Sequence, residues 1–226
     1  HALGQVPIDM GAMAAAGVDF YVTDGHKWLM APKGSGALWA RADAQQLLEP
    51  AIISSDNAPG TSFQSRFDYI GTRDYTPWCA MGDAMDFRET VLGGENRAQT
   101  YVMELARWAG RKLAELFHTE TVAPESMTPG MFAVRLPIPE AWTPDQQTAC
   151  AGVIARGLID QYDMQVISFT LHLLREDRPV SAPLDTHWIR VSAQVYLERS
   201  DFRSLADAVL ALRANCTTGP LGSMTI

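Results

Sequence analysis

Three places in this chain carry side chains whose types and spacing could do chemistry. The first is Lys27, within Gly17 to Leu38, GVDFYVTDGHKWLMAPKGSGAL. The apolar run Val18 to Val22 meets a polar turn, Thr23-Asp24-Gly25-His26, and Lys27 follows with Trp28, Leu29 and Met30 beside it. A lysine held at a strand end among apolar neighbours suits chemistry that needs a neutral amine. Desolvation disfavours the ammonium, lowers the pKa and frees a lone pair to attack a carbonyl. An ordinary surface lysine would show the same spacing, and on spacing alone that plainer reading is favoured. The second place is Gly71-Thr72, where a backbone N–H open to close approach and a hydroxyl would suit a phosphate. A plain turn before the next helix explains the pair more simply. The third is Arg190, whose guanidinium geometry matches a carboxylate bidentately, although a lone arginine in an apolar strand is more often a structural ion pair.

Other chemistries find no foothold. His118, His172 and His187 have no His, Cys or carboxylate partner at ligand spacing, so no metal site is expected. No serine stands in a nucleophile-elbow pattern of glycines.

The elements that must position these residues alternate helix and strand. Ile8 to Ala16 is rich in helix formers and ends at Gly17. Val18 to Val22 reads as a buried strand, Pro32 to Gly36 as a turn, and Ala37 to Ala40 as a returning strand. A short helix is expected over Ala42 to Leu48, a polar loop over Ala51 to Ser65, and a loosely helical run over Thr76 to Val91. Leu92-Gly93-Gly94 interrupts it. Glu95 to Phe117 then spaces its apolar residues along one face of a long helix. Further on come a strand over Phe132 to Leu136 and a helix to about Tyr162, opened by Thr143 as N-cap, Pro144 and Gln146. A strand over Gln165 to Phe169, a loop over Leu174 to Leu184, a strand over Trp188 to Val195 and a final helix capped by Ser200 complete the chain.

Composition narrows the class. The chain has 226 residues, 47% hydrophobic and 19% charged, which is ordinary for a globular protein. A net charge of −8 gives no support for nucleic-acid or anionic-membrane binding. No apolar run is long enough to span a bilayer. Cys79, Cys150 and Cys216 are few, odd in number and irregularly spaced, so they read as reduced thiols of a cytoplasmic protein, with Cys150 a core thiol.

His26-Lys27, six residues, then Gly34-Ser35-Gly36-Ala37-Leu38 resembles the lysine signature of class V aminotransferases, and HKWLMAPKGSGALWAR is most similar to the isopenicillin N epimerase-like branch. The resemblance implies fold type I: an α/β large domain with a mainly parallel sheet, whose C-terminal part is residues 1–94. A connecting helix and a smaller α+β domain, 95–226, would follow. It implies pyridoxal 5'-phosphate (PLP) as cofactor, with Lys27 as its Schiff-base lysine. His1 would lie near the phenolic oxygen, and Thr23 and His26 near the cofactor. Gly71 and Thr72 would reach the phosphate of a neighbouring subunit in a homodimer, and Arg190 would hold the α-carboxylate of an amino acid substrate. It also implies that the chain is the C-terminal portion of a longer protein, with the aspartate partner of the pyridine nitrogen just before His1.

Two departures from the family pattern stand out. Asp24 occupies a position where relatives usually carry Ser, Thr or Asn, and a carboxylate would repel the phosphate. Between Cys150 and Arg190 there is no cysteine, so the cysteine-nucleophile route of the desulfurases is not expected. The implied activity runs through an internal aldimine and a Cα carbanion to epimerisation or C–S lysis, with transamination as the alternative. A non-catalytic dimerising fragment, unable to hold PLP alone, is the alternative of another class.

Overall fold

A computed structural model describes residues 3–173 and 184–216 of the chain. It divides into two compact units, His1–Gln99 and Thr100–Ile226.

In the first unit, helix α1 (Met10–Ala15) begins where the Asp9 carboxylate accepts the Ala12 N–H at 3.0 Å, and it stops before Gly17. Strands β1 (Phe20–Asp24) and β2 (Gly36–Ala40) pair antiparallel, from Phe20 opposite Ala40 to Asp24 opposite Gly36. Thr23 and Asp24, read from sequence as turn, therefore continue the ladder. Strands joined by a short loop run antiparallel, because a parallel pair needs a long crossover. The mainly parallel sheet expected of this region is accordingly not made by these strands, and both sheets among the described residues are antiparallel.

Three further helices follow, α2 (Phe63–Asp68), α3 (Thr76–Cys79) and α4 (Met81–Thr90). The beginning of α2 lies inside the expected loop; Ser62 caps it by accepting the Ser65 N–H at 3.2 Å. The helix expected over Thr76 to Val91 is broken at Ala80, and that over Ala42 to Leu48 shrinks to one 3-10 turn at Gln45–Leu47. The core here is small: Leu29, Ala31 and Ala84, with Leu3 and Met81 packed against them.

Helix α5 (Glu95–Phe117) occupies the span its periodicity predicts and buries Val102, Leu105, Ala106, Ala109 and Leu113. In the second unit, strands β3 (Met131–Arg135), β4 (Ile167–Leu173) and β5 (Leu184–Ser192) form an antiparallel sheet in the order β3-β5-β4. Helix α6 (Pro144–Tyr162) opens with the expected capping box between Thr143 and Gln146. Helix α7 (Arg199–Ala214) starts before the expected Ser200 cap; its N-cap is Glu198, whose N–H donates to Asp201 at 2.7 Å. Leu136, Ile154, Leu158, Ile189, Val209 and Leu212 form a core with almost no exposure. The expected loop from Leu174 lies, up to residue 183, outside the described residues.

The cysteine reading needs correction. Cys150, in α6, and Cys216, just past α7, are joined as a disulfide with Cα atoms 5.4 Å apart, and only Cys79 is free. The pairing of α6 with α7 brings together residues 66 apart in sequence, which spacing could not reveal. Among the described residues no helix is long and apolar enough to cross a membrane.

Candidate active site

Lys27 opens the loop from Gly25 to Ser35 that joins β1 to β2. Two main-chain bonds close this loop on itself: Gly25 N–H to Ser35 O at 3.0 Å and Ala31 N–H to Gly25 O at 3.1 Å. Side chains add to them. The His26 ring nitrogen Nδ1 meets Ser35 O at 3.1 Å, and the buried Ser35 hydroxyl donates to Pro32 O at 2.8 Å. Trp28 and Leu29 are buried beneath the turn, while Lys27 stands on its outer side with 39% of its side chain exposed.

The lysine is not desolvated as its apolar neighbours suggested. Its amine forms an ion pair with the Asp24 carboxylate at the end of β1. The hydrogen bond from Lys27 holds Asp24 below the usual carboxylate range; burial opposes it, and the charge of Lys27 adds to the lowering. The Asp24 departure thus acquires a role: the carboxylate is committed to the amine three residues on. Thr23 is buried and accepts the Leu3 N–H at 3.3 Å, so its oxygen serves the loop before α1. His1 lies outside the described residues.

Gly71 and Thr72 sit on the turn between α2 and α3. Gly71 has φ +99 and nothing within 4 Å of where a Cβ would stand, so its backbone is open to approach. The Tyr75 hydroxyl donates to Gly71 O at 2.9 Å and fixes the turn, while Thr72 is exposed. Asp74 accepts the Thr76 N–H at 2.9 Å at the start of α3; the Thr76 side chain first, and this N–H second, pull its carboxyl below the ordinary range. Among the described residues no hydrogen bond or ion pair joins Gly71 or Thr72 to Thr23, His26 or Lys27.

Arg190 belongs to the second unit. It stands on the central strand β5, opposite Ala133 of β3 and Ile167 of β4, and is exposed. It makes no ion pair among the described residues, so the structural-pair reading of this arginine has no support there. It lines two grooves, of about 270 Å³ beside Met127 and Phe169 and about 800 Å³ beside Tyr196 and Asp201.

Sequence reasoning passed over several residues that build the site. Arg88 of α4 is buried and donates to Trp28 O at 2.7 Å and Gly4 O at 2.8 Å. Ser35 was read only as part of a glycine-rich turn, and Met30 takes φ +69. None had a signal in spacing, since each depends on contacts across the fold.

The sequence pattern described as aminotransferase class-V matches residues 1–144. The chain belongs to the class-V aminotransferase family. It is 27% identical to the L-cysteine desulfhydrase-like protein lolT1 of Epichloe uncinata over 92% of this chain and 52% of that protein. It is 30% identical to isopenicillin N epimerase of Streptomyces clavuligerus over 94% of this chain and 51% of that protein. The chain therefore spans about half the length of these curated relatives. Among solved structures, the cysteine desulfurase CsdA of Escherichia coli matches with a TM-score of 0.64 at 17% identity, covering 96% of this chain and 51% of the other. That likeness establishes the fold, that of the PLP-dependent fold type I enzymes. The class-V family depends on PLP.

The residues of this class-V chain fit such a cofactor by their donor chemistry. Lys27 offers an accessible amine for an aldehyde, and Gly71-Thr72 offers an open backbone and a hydroxyl for a phosphate. Asp24, the one anionic group of the Lys27 turn, is neutralised by Lys27 itself.

Proposed function

We propose that this chain carries the catalytic lysine of a PLP-dependent enzyme acting on an amino acid, of the epimerase or C–S lyase type. The observation that carries this reading is the Lys27 turn: an accessible amine on a loop braced by main-chain and side-chain hydrogen bonds, paired with a carboxylate. Lys27 would hold the cofactor, Thr23 and His26 would flank it, and Gly71 and Thr72 would contact its phosphate from a neighbouring subunit of a homodimer. PLP, when bound, supplies an electron sink for charge that develops at the substrate's Cα.

The chain's own groups do the rest. Arg190 binds the substrate carboxylate through two parallel N–H donors and so fixes its orientation. The Lys27 amine, neutral once released from the cofactor, would take the proton from Cα as a general base. The Asp24 carboxylate, placed to bond that amine, would stabilise the ammonium that results, and the ammonium could return its proton only to the same face of Cα. Epimerisation requires reprotonation from the other face, while loss of a sulfur substituent gives lysis. The relatives named above carry one of each activity in their names, and this supports both types over transamination.

A cytoplasmic setting is part of the reading, and the Cys150–Cys216 bond stands against it, because disulfides are rare where glutathione keeps thiols reduced. Alkylation of free thiols in freshly lysed cells decides the point.

The test is a visible absorbance titration with PLP, followed by L-cysteine in deuterated buffer. The reading expects a new band absent from Lys27→Ala, then sulfide released together with pyruvate and ammonia for a lyase, or deuterium at Cα with racemisation for an epimerase. Accumulation of a 2-oxo acid that keeps its sulfur, with no sulfide released, would assign transamination instead. A band of equal strength in Lys27→Ala would overturn the reading.

A further inference from the structure

Arg88 is the most deeply buried charge described in the first unit, with 3% of its side chain exposed. A guanidinium in that position is tolerated only when its donors are satisfied. Nη1 donates to Trp28 O at 2.7 Å and Nη2 to Gly4 O at 2.8 Å. Nε donates to Glu95 Oε1 at 2.6 Å, and Nη2 also reaches the Glu95 carboxylate. Two of these acceptors are carbonyls from segments 60 and 84 residues away in sequence. One of them, Trp28, directly follows Lys27.

The backbone at this point is pressed and strained. Gly4 has φ +78, and a Cβ there would lie 2.7 Å from Trp28 C and O and from Leu29 N. Only glycine permits that approach. Met30, with φ +69, holds a left-handed conformation that costs a methionine on the order of 1 kcal/mol and persists only where surroundings impose it. The turn after Lys27 is thus held in an unfavourable shape by one planar cation gripping both segments.

We propose that Arg88, bridged to Glu95, is the positioning residue of the Lys27 turn: by fixing the Trp28 carbonyl it sets the direction in which Lys27 leaves the backbone. Its catalytic meaning rests on the reading of Lys27 as the cofactor lysine; its effect on the turn does not. Arg88 acts through Lys27 and touches no reacting atom. A lysine could not replace it, since a single ammonium lacks the rigid fork that spans two carbonyls and a carboxylate.

Wild type, Arg88→Met, Arg88→Lys and Glu95→Gln are compared by amide hydrogen exchange, by melting temperature and by the rate at which borohydride-trapped pyridoxyl label accumulates on Lys27. The reporters are the Met30 and Ala31 amides, bonded to Lys27 O and Gly25 O. In Arg88→Met their exchange rises on the order of tenfold or more, while amides of β5 are unchanged and labelling slows by a similar factor. Arg88→Lys recovers melting temperature but not the labelling rate. Exchange and labelling that both match wild type would overturn the proposal, as would a uniform rise across the first unit, which marks a structural pin alone. Should Arg88→Met fail to fold, Glu95→Gln keeps the carbonyl bonds and shows a smaller rise at the same amides; no rise there overturns the proposal. If wild type itself takes no label on Lys27, the functional reading fails, and the exchange data still judge the clamp.

Discussion

Each unit of this chain is stabilised internally by different physics. The second is an antiparallel sheet covered by helices, with Leu136, Ile154, Leu158, Ile189 and Leu212 essentially sealed from solvent. The first has Leu29, Ala31 and Ala84 as its apolar cluster of buried residues, with Trp28 buried as well. Its order around Lys27 comes instead from hydrogen bonds to main-chain oxygens, supplied by Arg88, Ser35 and His26. Apolar burial builds a stable platform but specifies no direction. Hydrogen bonds aimed at particular carbonyls specify direction while adding little net stability each. A reactive lysine needs the second kind of support.

The largest expected effect that separates the units is Leu158→Ala. Deleting a fully buried leucine costs about 2–5 kcal/mol, read by denaturant unfolding of the second unit, while the pyridoxyl-labelling rate at Lys27 stays at its wild-type value. Loss of labelling in that variant would mean the units are not independent in this sense. Next comes Arg190→Gln. An exposed arginine with no ion pair among the described residues should leave the melting temperature unchanged. Its loss should raise KM for the amino acid by roughly 10- to 100-fold, the value of a charge-assisted carboxylate bond. A fall in stability with unchanged KM would return Arg190 to a structural role.

A smaller effect is expected at Gly157, where an added Cβ would lie 2.3 Å from a methyl of the buried Leu212 and oblige that side chain to shift. Gly157→Ala should destabilise the second unit by about 1–3 kcal/mol, measured as a shift in denaturation midpoint. The smallest is a pH slope. Burial pushes the His187 imidazole below its ordinary value, partly opposed by Asp185. The folded state thus resists protonation that the unfolded chain accepts. Stability is full above the ordinary histidine value of about 6.5 and declines as pH falls through it toward the lower folded value. His187→Gln should flatten that slope, and an unchanged slope would assign it elsewhere.

The same contrast explains what the sequence disclosed. Helix α5 was legible to the residue because its apolar spacing and the glycines before it are local signals. So was the start of α6, whose Thr143-Gln146 box is a four-residue pattern. The placing of Lys27 at the β1–β2 loop was legible from Gly25 and the motif around it. The exposure of Lys27 and its pairing with Asp24 were not legible, because exposure is a property of the folded turn. Arg88 and the Cys150–Cys216 bond were beyond reach for a common reason: their partners lie 60 to 84 residues away along the chain, and only the packed fold joins them.

The central claim, that Lys27 is the cofactor lysine, is tested most directly by incubating the protein with PLP, reducing with borohydride and mapping the peptides by mass spectrometry. The account predicts pyridoxyl label on Lys27 at close to one per chain, with Lys33 and Lys112 unlabelled. Label spread over surface lysines, or its absence from Lys27, would contradict it.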